Sequence, residues 1–180
     1  GCGEGYYLSA LQQALTAEIN YYGTDISKEA LKLAARHHQQ IKWFVAAARK
    51  LPFLDHSVDL VLNIFAPADW DEIKRVLKKQ GHLLLAVAGD NHLHGLRELI
   101  YDSVRPHQPE RFLQQTSEHF ELIADKSCQF ELQLDDNAAI RSLLQMTPYF
   151  WQADETRRQS IENLQCLSTP VNFQFYLFKA

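Results

Sequence analysis

Apolar residues recur along this chain with two alternating periods. Leu8, Leu11 and Leu15, with Ala14 beside them, fall at i, i+3 and i+7 and predict a first helix. Residues 18–22 read as a strand broken at Gly23, with Asp25 at its end. Ser27 is a good N-cap for a helix from Lys28 to about His37. Ile41–Val45, β-branched and aromatic, reads as the next strand. Val58–Phe65 is a nearly continuous apolar run, the pattern of a strand buried on both faces. Asp69 and Glu72 suggest a capping box for a helix with Ile73, Val76 and Leu77 turned inward. Gly81 should end that helix, with Lys78 and Lys79 at its C-terminus, before a buried strand over His82–Ala88. Strand and helix alternating in this way predict a doubly wound, mostly parallel α/β sheet.

The second half has a different rhythm. A helix is expected over Leu93–Tyr101, and a loop with a short helix over Pro106–Gln115. Ser127–Leu134 alternates apolar and polar residues like a strand, and Val171–Phe178 reads as the last strand. Between them, Asp136 or Asn137 can cap one helix up to about Gln145, stopped near Pro148, and Asp154 another through about Gln165. The expectation is a C-terminal antiparallel strand pair joined by a helical insertion.

The stretch Gly1-Cys2-Gly3-Glu4-Gly5-Tyr6-Tyr7 gives this pattern a chemical focus. Alternating glycines let a backbone turn sharply and approach a ligand closely, and the helix that follows directs free N–H groups into the turn. Tyr6 stands where a dinucleotide fingerprint would place its third glycine. That spacing favours S-adenosylmethionine, which has no pyrophosphate, over NAD or FAD. Asp25 lies twenty positions after Gly5, where a carboxylate after the second strand can accept hydrogen bonds from both ribose hydroxyls. A helix-entry role is the alternative for Asp25. Ala46-Ala47-Ala48 ends the third strand with small side chains that leave room for a flat adenine, or that merely pack. A nucleotide-binding glycine turn normally follows a central strand, and none precedes Gly1. The reading therefore expects a single domain over residues 1–180, N-terminally incomplete. Its strands at 18–22 and 58–65 should expose unpaired edges, and the isolated chain should not fold stably.

Composition narrows the class without changing it. A hydrophobic fraction of 46% and a charged fraction of 22% are those of a globular protein. The 3 cysteines, Cys2, Cys128 and Cys166, lack metal-ligand spacing and suit a reducing cytoplasm, so a cytoplasmic location is expected. A net charge of −4 argues against whole-surface attraction to nucleic acid and leaves room for a local basic patch. His37-His38 and His94 have no second ligand at metal spacing, so no metal is assigned.

Several motifs resemble those of class I S-adenosylmethionine methyltransferases: Gly1-Cys2-Gly3-Glu4-Gly5, Asp25, Leu51-Pro52-Phe53 with Asp55 and Asp59, and Arg75-Val76-Leu77-Lys78 with Gly81. A closer resemblance is to bacterial large-subunit ribosomal RNA guanine-N1 methyltransferases. It rests on Gly1–Tyr7, Ala66-Pro67, His92-Leu93, Leu99-Ile100-Tyr101 and above all Leu143-Leu144-Gln145-Met146-Thr147-Pro148 with Trp151. The resemblance implies a Rossmann-like methyltransferase sheet, S-adenosyl-L-methionine as cofactor and 23S ribosomal RNA as substrate. Cofactor contacts are implied at Gly1, Cys2, Gly3, Gly5, Tyr6, Tyr7, Leu8, Asp25, Ile26, Ala47, Ala48 and His92. Zinc is implied only in an N-terminal four-cysteine module absent from this sequence, and a homodimer is left open. Lys79-Gln80-Gly81 departs from the usual Pro-Gly-Gly.

Methylation of guanine N1 requires loss of its proton, which His92 or Asp90, just past the fifth strand, are expected to take. Tyr149, Phe150 and Trp151 can stack an extruded base or pack in a core, and Arg49-Lys50 and Arg157-Arg158 are candidates for phosphate contact. Two other readings remain: a small-molecule or quinone methyltransferase on the same fold, and a non-catalytic S-adenosylmethionine-binding module.

Overall fold

The computed structural model describes residues 1–15 and 17–180, and of Glu162 the backbone only. Its chain falls into two compact units, residues 1–86 with 113–125 and 176–180, and residues 87–112 with 126–175.

The first unit opens with α1 (Tyr6–Ala14), β1 (Tyr22–Asp25), α2 (Lys28–His37) and β2 (Lys42–Val45), with β1 and β2 parallel. Ser27 caps α2 as its sequence predicts, accepting from Ala30 N–H at 3.2 Å. β3 (Val58–Ile64) follows, then α3 (Trp70–Val76) and β4 (Leu77–Ala88), which runs parallel to β3. Later chain adds the near ends of β5 (Glu121–Leu134) and β6 (Leu167–Lys179), giving a second sheet ordered β3-β4-β6-β5, with β5 and β6 the expected antiparallel pair. Buried Leu31, Ile41, Ile73, Leu83, Leu85 and Phe178 mark this unit's core.

Three expectations need correction here. Gly23 does not break the strand expected at 18–22; it lies inside β1, opposite Trp43. The reason is steric, since a Cβ at Gly23 would sit 2.2 Å from the Trp43 ring. Lys78 to Gly81 belong to β4 and not to a helix end. Lys78 reaches across to Asp59 of β3 at 2.7 Å, and the Gly81 carbonyl accepts from Ala180 N–H, so both are held by sheet neighbours. Finally, β3 is not buried on both faces: Leu60 is 43% exposed. β1 and β3 belong to separate sheets and both line a cleft of about 680 Å³, walled by Tyr22, Thr24, Leu60, Leu62 and Leu11. This is where the sequence places two unpaired edges.

The second unit holds α4 (His94–Glu98), much shorter than the helix expected over Leu93–Tyr101, and the far ends of β5 and β6. It also holds α6 (Asn137–Met146), a 3-10 turn at Pro148–Trp151 and α7 (Glu155–Glu162); α5 (Pro109–Ser117) begins in this unit and ends in the first. Asp136 caps α6, accepting from Ala138 and Ala139 N–H, and Asp154 caps α7, accepting from Arg157 N–H at 2.8 Å. The core is one apolar cluster that includes Leu96, Ile100, Ile140, Leu144, Ile161 and Val171.

Only half of the expected capping box forms on α3. Asp69 accepts from Glu72 N–H at 3.0 Å, but the Glu72 carboxylate turns instead to Leu51 N–H at 2.6 Å and to Arg75 at 2.8 Å. Arg75 also reaches Asp55 at 2.6 Å and the carbonyls of Phe53 and Leu51. The pair thus clips the Leu51–Asp55 loop to α3. Hydrogen bonding from Arg75, and then from Leu51 N–H, holds the Glu72 carboxyl down at about 2, against the opposing effect of its burial. A depressed carboxylate pKa gives stability that is full above the unfolded-state value and is lost as pH falls. Thermal melts between pH 6 and 2 should therefore show a stability loss that begins near the ordinary glutamate range. In Glu72→Gln that acid limb should flatten, with a lower melting temperature at neutral pH.

Candidate cofactor site and a buried polar cluster

The glycine turn is built from backbone bonds and steric fit. Gly1 and Cys2 N–H both donate to the Thr24 carbonyl, at 2.9 and 3.0 Å, and Gly5 N–H closes the turn on the Cys2 carbonyl at 3.0 Å. Gly3 and Gly5 have φ of +53° and +82°, values that favour glycine. A Cβ at Gly5 would meet the Trp43 ring at 2.3 Å, and one at Gly1 would meet Ala66 at 2.5 Å, whereas the space beside Gly3 is open. Gly1 and Gly5 are therefore glycines for packing, and Gly3 leaves room for a ligand. Gly5 supplies the cap of α1 with no side-chain hydrogen bond and no acidic residue in the first turn, so the helix start is left for an acceptor from outside.

Asp25 joins this turn to the strand ends. One carboxylate oxygen accepts from Gly3 N–H and the other from Ser27 N–H, both at 2.8 Å. Burial is the largest effect and opposes its charge, but hydrogen bonds from Ser27 and Gly3 N–H, with smaller contributions beside them, together hold the pKa below the ordinary aspartate value. Each oxygen keeps lone-pair capacity for a ribose hydroxyl. Helix entry and diol binding are thus compatible roles for the same carboxylate. The Asp25 carbonyl accepts from Ala46 N–H at 2.9 Å, so the β1 and β2 ends lie together. Ala47 and Ala48 are half-buried there, beside the exposed Val45. Ile26 is 76% and Tyr6 74% exposed; Tyr7 is exposed too and meets the Tyr6 ring edge to face. Leu8 is half-buried. Burial pushes the Cys2 thiol pKa up, so it stays protonated. Gly1, Gly3, Gly5 and Asp25 are brought together, with Ile26, Ala47 and Ala48 on the adjoining segments.

Asp90 and His92 lie in the second unit. Asp90 is exposed, and its carbonyl accepts from His107 N–H at 3.1 Å. His92 is half-buried; Asn172 N–H donates to its Nδ1 at 3.3 Å, and its ring lies 4.9 Å from that of Phe173. Burial, then the neighbouring His107 and Arg97, lower the His92 pKa to about 4. A neutral imidazole that accepts at Nδ1 carries its proton on Nε2, so in this geometry His92 offers a donor there. His107 is also held neutral, by burial first and then by Arg97, and its Nε2 pairs with the Tyr149 hydroxyl at 3.0 Å.

Sequence reasoning passed over Arg97 and His107, which meet Tyr149 in this cluster. Arg97 is only 6% exposed, and nothing in the local pattern marks it apart from a solvated helix cation. The Arg157–Arg158 pair is not free for phosphate. Arg157 is tied to the Ile100 carbonyl and to Asp102, and Arg158 lies over the Phe150 ring at 5.4 Å. Arg49 and Lys50 are exposed, as is Trp151 at 80%. No group of three or more metal-ligating side chains is clustered among the described residues, and none of the described helices is long and apolar enough to cross a membrane.

Replacing Gly5 by Ala must both hold a left-handed backbone and displace the Trp43 ring, while Ala at Gly3 faces only the backbone cost. We expect Gly3→Ala to cost about 1–2 kcal/mol. Gly5→Ala should cost about 1–3 kcal/mol more from overpacking. Urea unfolding of the two variants, followed side by side, checks the order.

Comparison with known proteins accords with this geometry. Residues 1–85 match the methyltransferase domain family model. A 23S rRNA (guanine(748)-N(1))-methyltransferase of Streptomyces fradiae is 31% identical over 86% of this chain and 55% of its own length. A Bacillus subtilis protein provisionally named as a 23S rRNA (guanine-N(1)-)-methyltransferase is 33% identical over 96% of this chain and 62% of its own. The chain thus spans somewhat over half the length of these curated relatives. Among solved structures, MccD protein superposes with a TM-score of 0.63 at 19% identity, covering 99% of this chain and 86% of that one. YcgJ protein from Bacillus subtilis gives 0.60 at 19%, covering 98% and 88%. The chain has the Rossmann-like methyltransferase fold, and its first 85 residues form a match to the methyltransferase domain.

Proposed function

We propose that this chain binds S-adenosyl-L-methionine and transfers its methyl group to N1 of a guanine in 23S ribosomal RNA, residues 1–180 acting together as the catalytic domain of a cytoplasmic enzyme. The observation that carries the reading is the Gly3–Asp25 hydrogen bond at 2.8 Å. It sets an open glycine turn and a charged ribose acceptor side by side, in a chain 31% identical to a guanine-N1 methyltransferase.

In this reading Gly1, Cys2, Gly3, Gly5 and the start of α1 at Tyr6, Tyr7 and Leu8 cradle the cofactor. Asp25 grips the ribose diol, and Ile26, Ala47 and Ala48 flank the adenine. Transfer forms the N1–CH₃ bond as the C–S bond breaks, leaving a neutral thioether, while N1 loses its proton. Most of the acceleration comes from alignment of sulfur, methyl and nitrogen. Asp90, exposed beyond the end of β4, is assigned as the proton acceptor; His92, proton on Nε2, is suited to donating a hydrogen bond. With a net charge of −4 and Arg157 tied down internally, RNA affinity rests on local groups such as Arg49, Lys50 and the exposed Trp151.

The test is incubation with S-adenosylmethionine and unmodified large-subunit ribosomal RNA, followed by nucleoside mass spectrometry. The expected product is 1-methylguanosine; a protein that binds the cofactor yet leaves the RNA guanines unmethylated would overturn the reading. Asp25→Ala should weaken cofactor binding by about 1.5–3 kcal/mol in calorimetry, the usual worth of hydrogen bonds to a charged group. Asp25→Asn should lose less, because one acceptor oxygen survives.

A further inference from the structure

Two strands of the first unit turn a free edge to the same cleft. Among the described residues β1 pairs only with β2, and β3 only with β4. The Tyr21 and Asp25 carbonyls accept from Lys42 and Ala46 N–H on the β2 side, so strand alternation turns the backbone of Tyr22 and Thr24 the other way. Phe65 N–H donates to the Ala86 carbonyl of β4, so the backbone of Leu60, Leu62 and Ile64 points away from β4. All of these residues line the cleft of about 680 Å³, whose whole lining belongs to residues 1–86. Tyr21 lines it too, and its hydroxyl is buried with no hydrogen-bond partner.

The ends of the cleft are marked. At one end Gly1 donates to the Thr24 carbonyl at 2.9 Å and stands against Ala66, just past β3. At the other end Asn20 and Ser57 precede β1 and β3. Both strands therefore run along the cleft toward Gly1.

These features select one occupant. Rows of backbone donors and acceptors need partners at the same repeat, which an apolar small molecule or a lipid chain cannot supply. A second copy of the chain does not fit either: its outer strands, β2 and β5, each have one edge already paired, and this cleft has two edges to satisfy. An extended polypeptide segment in no sheet of its own offers both. Leu11, Leu15, Ile19 and Phe53 supply apolar walls, so its side chains are apolar, with β-branched residues best suited. The positive amino group of Gly1 favours a carboxyl end beside it, which sets the direction.

We propose that the first unit takes up an extended apolar peptide between β1 and β3 as a parallel strand, its carboxyl end at Gly1, joining the two sheets into one.

The test uses the 180-residue chain and a synthetic peptide of about six residues, Val and Ile with a fluorophore-bearing Lys at the amino end. Anisotropy should show saturable binding, and the melting temperature should rise with peptide concentration. The same peptide N-methylated at alternate amides keeps its side chains and loses the donors along one edge; it should bind at least about tenfold more weakly. Equal binding of the two, the result of purely apolar contact, overturns the proposal. Leu60→Glu changes a cleft residue that is 43% exposed and should weaken binding by a similar factor. Unchanged binding there puts the peptide elsewhere and overturns the proposal as well. Amidating the carboxyl end should weaken binding and acetylating the amino end should not; the opposite order overturns the direction. A dimer of the chain that the peptide fails to dissociate in sedimentation gives the cleft to a second copy instead. Fusing the peptide directly to Gly1 guards against a chain too unstable to titrate. That fusion should melt cooperatively and above one carrying Pro at alternate positions, and equal melts overturn the proposal.

Discussion

The Asp25 carboxylate is the constraint on which the first unit's glycine turn depends. The three glycines of the turn have no side chains with which to fix it, and two of them hold left-handed backbone. Something outside the turn must set its position. Asp25 does so by accepting from Gly3 on one side and from Ser27, the cap of the next helix, on the other. Turn, strand end and helix start are therefore referred to one charged group. The two N–H groups that it organises also favour its ionised form, so geometry and charge support each other.

Much of this was legible in the sequence because it is local. Helix caps at Ser27, Asp136 and Asp154 follow from short-range rules, and the structure has each in place. The alternation of apolar runs gave the order of strands and helices. What was hidden depends on neighbours distant in sequence. Gly23 looks like a strand breaker until Trp43 is laid over it. Lys78 and Lys79 look like a helix C-terminus until Asp59 appears on the next strand. Glu72 fits a capping box by spacing, but Arg75 and the Leu51 N–H compete for it and win. In each case a tertiary partner overrode a sound local preference.

The candidate site shows the same division. Glycines and an aspartate at a fixed spacing are readable because the turn is made by backbone conformation and backbone hydrogen bonds. The polar cluster of the second unit is not, because Arg97, His107 and Tyr149 come from three separate segments and acquire their character only from burial. His92 is singled out by its position in the sequence, but its protonation is not. A histidine near a sheet edge reads as a base, whereas one that accepts from Asn172 N–H and is half-buried near His107 and Arg97 is held neutral.

The indole of Trp43 lies against both Gly5 and Gly23, and its Nε1–H is satisfied by the His38 carbonyl at 3.1 Å. The chain thereby carries an optical probe built into its own glycine turn. Trp43 and Trp70 are partly shielded and Trp151 is exposed, so once Trp70 is replaced by Phe the remaining two differ in emission wavelength and in access to a soluble quencher. Occupancy of the turn and events near Pro148–Trp151 can thus be followed as separate spectral components, without attaching any label.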